Sequence, residues 1–145
     1  MVNLEQLRAK NALLFSTSIH AGAGDGKPDA VVKKTASRIM QNGFLGALAF
    51  AIDKEEGMSD TFAAILYHLL DPNVRAPIDA GKFAGFARAI DLSRNGEKAK
   101  LPVSGQGKAL EELMTSASSC SAAELQSITD EAMSYLAFLR RFVNS

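Results

Sequence analysis

Residues 29–53, DAVVKKTASRIMQNGFLGALAFAID, constrain this chain more than any other stretch. No proline interrupts them, and their apolar positions recur at helical rather than alternating spacing. Inside them lies Asn42-Gly43, the dipeptide that closes tight hairpins. A hairpin needs alternating strands on both sides, and neither SRIM nor FLGALAF alternates. The pattern therefore predicts one continuous helix over about 30–54. On its wheel Ala36, Met40, Gly43, Ala47 and Ala51 share a stripe, with Phe44, Leu48 and Ile52 beside it. Each helical glycine costs roughly 1 kcal/mol relative to alanine. Backbone-close packing of a second helix along Gly43 and Ala47 would offset that cost. Lys34, Arg38, Gln41 and Asn42 group on the other side of the first half, and past residue 43 every face is apolar.

Helix signals continue along the rest of the chain. Asn3 followed by Gln6 resembles a capping box and opens a first helix expected to end near His20. The glycine-rich stretch 21–28, AGAGDGKP, is read as a flexible connector, with Asp29 capping the next helix. Gly57 should stop that helix, and Ser59 can start a third, through FAAILYHLL, that ends before Pro72. A fourth is expected over about 79–92, a polar loop over about 94–107 and a fifth helix over about 108–118. Ser121 with Glu124 forms a second capping box and opens a last helix through Val143. Its apolar residues Met133, Leu136, Ala137, Phe138, Leu139, Phe142 and Val143 should be nearly all buried. No window alternates with β-branched residues, so no strand is expected. At 145 residues the reading is all-α: one compact domain, 1–145, built as a bundle of about six helices.

Charge is balanced overall, with 16 Lys and Arg against 16 Asp and Glu, which argues against a generic nucleic-acid binder. It is segregated along the chain. Residues 1–40 hold six basic groups and three acids, and residues 82–108 hold six and two. Residues 53–79 hold two bases and six acids, and residues 111–131 hold five acids and no base. A basic side and an acidic side would follow from this, as would an ordinary mixed surface. Cys120 is the sole cysteine, so no internal disulfide can form. MVNLEQLRAK lacks the apolar core of a signal peptide, and the longest apolar run, 43–52, is about half a membrane span. These features predict a soluble, cytoplasmic protein.

Catalytic chemistry finds little support. GAGDGKP lacks the spacing of a phosphate-binding loop, and Pro28 stands where that loop needs a hydroxyl. His20 and His68 lie far apart, without metal-type neighbours, and His68 in ILYHLL suits a packed or edge histidine. Cys120 has no histidine nearby in sequence and reads as a small buried or exposed thiol. Glu55-Glu56 and Glu111-Glu112 are adjacent pairs that splay around their helices. No catalytic residue, metal site or cofactor is expected, and the chain is read as not an enzyme.

Three segments taken together carry a family resemblance. LEQLRAKNAL near the start, the NGFLGALAF block and YLAFLRRF at the end resemble the small helical subunit of the type III-B CRISPR effector, the Cmr complex. Their order and spacing make the likeness; residues 55–118 add helical character and little identity. The resemblance implies an all-α, non-catalytic subunit in antiviral defence. Copies of it would stack along a filament of backbone subunits beside the large subunit. A basic face would stabilise crRNA paired with target RNA, with no membrane partner. It implies RNA contact by Arg140 and Arg141 through the family's Arg-Arg ending. Lys33, Lys34 and Arg38 follow more loosely, by basic character just ahead of the Asn-Gly block, with Arg8 and Lys10 behind. Lys34 and Arg38, four residues apart, share a helical face, and phosphate recognition needs no more than such cations. Other readings are a small helical subunit of another surveillance complex, such as type III-A, and a helical protein–protein module without RNA contact. A DNA-binding helix–turn–helix would need a basic recognition helix that is not found here.

Overall fold

The computed structural model describes residues 3–19, 27–53, 58–94, 98–101 and 106–143. Among these, six helices carry the fold: α1 (Leu4–Leu14), α2 (Pro28–Ile52), α3 (Ser59–Leu69), α4 (Ala84–Ser93), α5 (Gln106–Ser118) and α6 (Ala122–Phe142). A 3-10 turn, Ala80–Phe83, leads into α4, and no strand occurs among the described residues. His20, the glycines of the 21–26 stretch, Glu55-Glu56, Gly57, Pro102 and Gly105 lie outside the described residues.

The helix ends follow local chemistry. Asn3 Oδ1 accepts from the Glu5 N–H at 2.8 Å and caps α1. Ser121 and Glu124 form the reciprocal box that opens α6, at 3.1 and 2.9 Å. Asp29 does not cap α2. Lys27 is the cap residue and Pro28 takes the first helical position, where its missing N–H costs nothing. Asp29 falls in the first turn, where the helix dipole favours an acid. The first helix also stops earlier than its pattern suggests, at Leu14. Phe15, Ser16 and Ser18 bond to carbonyls three residues back, which tightens the chain into turns. Residues 98–101 lie against these turns: Ala99 N–H donates to the Leu14 carbonyl at 3.0 Å, and the Ser18 hydroxyl donates to the Ala99 carbonyl.

α3 is the centre of the bundle and packs against α1, α2, α5 and α6. Phe62, Ala63, Ala64, Ile65 and Leu66 are five consecutive residues with no exposed surface. A helix apolar on every side can only be an interior one. Each fully buried Leu, Ile or Phe contributes about 1.5–3 kcal/mol. α6 keeps a one-sided pattern: Ile128, Ala132, Tyr135, Leu136 and Leu139 face inward, while Ala137 and Phe142, expected inside, are exposed.

α2 departs most from expectation. It is not continuous: Gly43 takes φ 80°, ψ 168°, outside helical geometry, and the helix breaks there into arms 28–42 and 44–52. That conformation belongs essentially to glycine. Close packing does not explain Gly43, because a Cβ built on it would meet nothing within 4 Å and the residue is exposed. The expected stripe is accordingly cut: Met40 is 77% exposed, whereas Ala47 and Ala51 are fully buried. Gly46 has a different reason to be glycine. A Cβ there would lie 2.9 Å from Asn42 Cβ, where side chains four apart on an intact helix sit about 5–6 Å apart. The bend presses the start of the second arm onto the end of the first. The second arm is then anchored in the core by Phe44, edge-on to Phe62 of α3 at 5.6 Å. The turn signal in Asn42-Gly43 is real, and helical periodicity on either side of it concealed the break.

Candidate nucleic-acid interface

The seven cationic residues singled out by the sequence do not form one patch. Lys33, Lys34 and Arg38 lie on the first arm of α2 and line a shallow groove with Ala30, Ser37 and Gln41. Lys33 and Lys34 are exposed and Arg38 is half-buried. The inward side of the same arm is fixed by Val31, Val32, Thr35 and Ile39. Thr35, fully buried, returns its hydroxyl to the Val31 carbonyl at 2.9 Å. The basic residues therefore point outward because the apolar ones are committed inward.

Arg140 and Arg141 occupy the last turn of α6, as their sequence position implies, and both are exposed. The Arg141 guanidinium lies 5.8 Å from the Phe138 ring. Cations at a helix C-terminus also gain from the dipole, by about 0.3–1 kcal/mol.

Arg8 and Lys10 are placed elsewhere. Lys10 lines a cleft of about 600 Å³ between α1, α3 and α4, together with Tyr67, Asp71, Asp91 and Arg94. Tyr67 donates to Asp91 there at 2.6 Å, and burial reinforced by that bond pushes the phenol up to about 12. Arg8 is held by Glu131 through two hydrogen bonds of 2.8 Å, from Nε to Oε2 and from Nη2 to Oε1. This fork-to-carboxylate pairing is the strong form of an ion pair.

That pair belongs to a network invisible to pattern reading. His68, with no exposed surface, donates from Nε2 to Glu131 Oε2 at 2.9 Å. Its Nδ1 accepts from the Asn11 side-chain amide at 2.9 Å. Its ring stacks on Tyr135 with centroids 4.5 Å apart, and Tyr135 donates to the Asn11 backbone carbonyl at 3.2 Å. Burial alone would raise the Glu131 carboxyl; the hydrogen bonds from Arg8 and His68 outweigh it and hold the group at about 2. The network ties α1, α3 and α6 together. Its members lie at residues 8, 11, 68, 131 and 135, so no local spacing announces it.

Cys120 is half-buried and bonds weakly to the Pro77 and Ser116 carbonyls, at 3.6 and 3.5 Å. Burial, with Glu124 nearby, pushes its thiol up, which disfavours the thiolate. Among the described residues no three His, Cys, Asp or Glu side chains form a group that could hold a metal ion, and no helix is long and apolar enough to cross a membrane. The basic stretch 82–108 disperses: Lys82 and Lys108 flank an apolar groove between α4 and α5, while Lys98 is bound to Ser16 at 2.8 Å.

Comparison with known proteins agrees with the motifs. The model of the CRISPR-associated protein family Cas_Cmr5 matches residues 4–145, nearly the whole chain. No curated protein and no solved structure gives a significant match. With the helical architecture and the family match in agreement, the chain belongs to the Cas_Cmr5 family, a subunit family of the CRISPR Cmr complex.

Proposed function

We propose that this protein is a non-catalytic structural subunit of the type III-B Cmr ribonucleoprotein, working in the cytoplasm. Copies of it stack along the backbone filament, and its basic face steadies crRNA paired with target RNA. The observation that carries this reading is the first arm of α2, where Lys33, Lys34 and Arg38 line one outward groove. A paired guide is an A-form duplex recognised by shape and phosphates, so cations on a rigid helix suffice. Arg140 and Arg141 supply a second exposed cationic point at the end of α6. Arg8 contributes to the fold through Glu131, and Lys10 sits in a cleft shared with two aspartates.

The chain's zero net charge fits weak RNA binding by one copy and strong binding by a stack, since linked weak contacts multiply. The test is the triple charge reversal Lys33→Glu, Lys34→Glu, Arg38→Glu in a reconstituted Cmr assembly. The variant should fold and assemble but retain less target RNA. Normal retention by the assembled variant would refute the RNA-facing role.

A further inference from the structure

A two-fold contact joins a surface patch to itself, so the patch must carry both members of each pairing: a knob and a hole, a cation and an anion. The groove between α4 and α5 carries all four. It encloses about 560 Å³, and its apolar lining is Phe83, Gly85, Phe86, Ala89 and Ala109. Gly85 is the hole: it is exposed, and a Cβ built on it would meet nothing within 4 Å. Leu92 is the knob. It is 80% exposed and lies two turns along from Gly85, on the same face of α4. The charges lie on α5. Lys108 is exposed, and Glu112, four residues on, borders the same groove. Lys82 and Glu111 add one further charge of each sign to the rim. The groove on the first arm of α2, by contrast, has cations and no acid among its described lining residues. In the cleft of Lys10 the acids are already engaged, Asp91 by Tyr67 and Asp71 by Asn11 and Asn73.

We propose that the free chain pairs with a second copy of itself through this groove. The two-fold axis sets α4 against α4 and α5 against α5, each pair antiparallel. That direction places Leu92 of one copy over Gly85 of the other, and does so twice. On α5 the same operation sets Lys108 of one copy against Glu112 of the other. A parallel arrangement would oppose Lys108 to Lys108 and Leu92 to Leu92, so the order of the residues selects one direction. Pairing covers an apolar seam that a lone chain leaves open to water. It uses none of the residues assigned to RNA, so it goes beyond that reading and stands or falls without it.

The test is sedimentation equilibrium of the purified full chain from micromolar to millimolar concentration. The wild-type chain should approach twice its monomer mass. Leu92→Ser should weaken pairing about 100-fold, because two buried leucines are lost from each dimer. Folding should be unaffected, since Leu92 is exposed in the single chain. Gly85→Leu fills the hole in a chain that has room for it and should weaken pairing about 10-fold. Lys108→Glu and Glu112→Lys should each weaken self-pairing by about 10-fold. Mixed in equal amounts, these two variants should form a heterodimer about as tight as the wild-type pair, because every contact again joins opposite charges.

A wild-type chain that stays single at millimolar concentration overturns the proposal. So does a dimer whose affinity Leu92→Ser leaves unchanged, since it would lie on another face. A mixture of the two charge variants that stays monomeric overturns the antiparallel pairing. Should Glu112→Lys fail to fold, salt answers the question: it should weaken the wild-type pair and strengthen that of Lys108→Glu, and the same response from both overturns the proposal. A wild-type chain that is single alone, yet is lost from a reconstituted Cmr assembly on Leu92→Ser, also overturns it and assigns the groove to a different subunit.

Discussion

Arg8 and Arg38 are both half-buried helical arginines in the first forty residues, and the fold treats them in opposite ways. Arg8 meets a carboxylate, donates two hydrogen bonds to it and becomes part of the internal architecture. Arg38 lies against an aromatic ring, its Cζ 4.7 Å from the Phe50 centroid. The lesson is that a cation's role is decided by what its elements bring against it. α1 faces α6, which supplies Glu131. The first arm of α2 faces its own second arm, which supplies Phe50.

The comparison breaks most easily at Glu131. Glu131→Gln should lower stability by about 3 kcal/mol, because the amide loses the charge and keeps one acceptor oxygen, turning an NH2 donor against the donors of Arg8 and His68. Urea unfolding followed by circular dichroism measures this, and a loss under about 1 kcal/mol would place Arg8 with the surface cations. The same pair predicts an acid limit. The Glu131 group falls from its ordinary 4.5 to about 2 on folding. A lowered folded value means the stabilisation is whole above about pH 4.5 and is lost as pH falls towards 2. Wild-type stability should therefore drop over that window by about 1–3 kcal/mol through this group, with solvent screening setting the lower figure. The drop should be blunted in Glu131→Gln.

The two glycines of the broken helix come next. Gly43→Ala should cost about 1–2 kcal/mol through backbone strain alone, since its Cβ would enter open space. Gly46→Ala should cost a similar amount for a different reason, the 2.9 Å approach to Asn42 Cβ. Asn42→Gly separates the mechanisms. It should recover part of the Gly46→Ala loss and none of the Gly43→Ala loss, as thermal unfolding of the two double variants would report. Equal rescue of both would mean that crowding, not dihedral strain, dictates Gly43.

What the sequence revealed follows the range of the forces involved. The six helices and the Ser121–Glu124 cap were legible, because each depends on residues within a few turns of one another, whereas the full burial of Phe62 to Leu66 emerges only from the packing around α3. The break at Gly43 was half legible. Asn-Gly is a turn signal, but apolar spacing continues on both sides of it, and periodicity does not register a change of axis. The role of Pro28 over Asp29 turned on one missing N–H. The network of Arg8, Asn11, His68, Glu131 and Tyr135 was not legible at all. His68 looked like a packed or edge histidine and proves to be a packed one, but nothing near it in sequence names Glu131, 63 positions away. The basic groove was legible as a face of one helix, whereas the aromatic partner of Arg38 became visible only with the bend.

The smallest expected effect sharpens the comparison from the other side. Lys33 is exposed on the first arm of α2, with neither a carboxylate fork like that of Arg8 nor a ring like that of Arg38 among the described residues. Lys33→Ala should change stability by less than about 0.5 kcal/mol, the range of ordinary surface substitutions. If the groove faces RNA, the same change should lower the log–log salt slope of target binding by about 0.7–0.9 for each phosphate that Lys33 neutralises. Arg8→Ala should do the reverse, destabilising the fold while leaving the slope of the assembled complex unchanged. Measuring unfolding and salt-dependent target binding on both variants sets the architectural cation against the surface one. A slope change for Arg8→Ala or a large stability loss for Lys33→Ala would mean that the two regions share the work that their geometry divides.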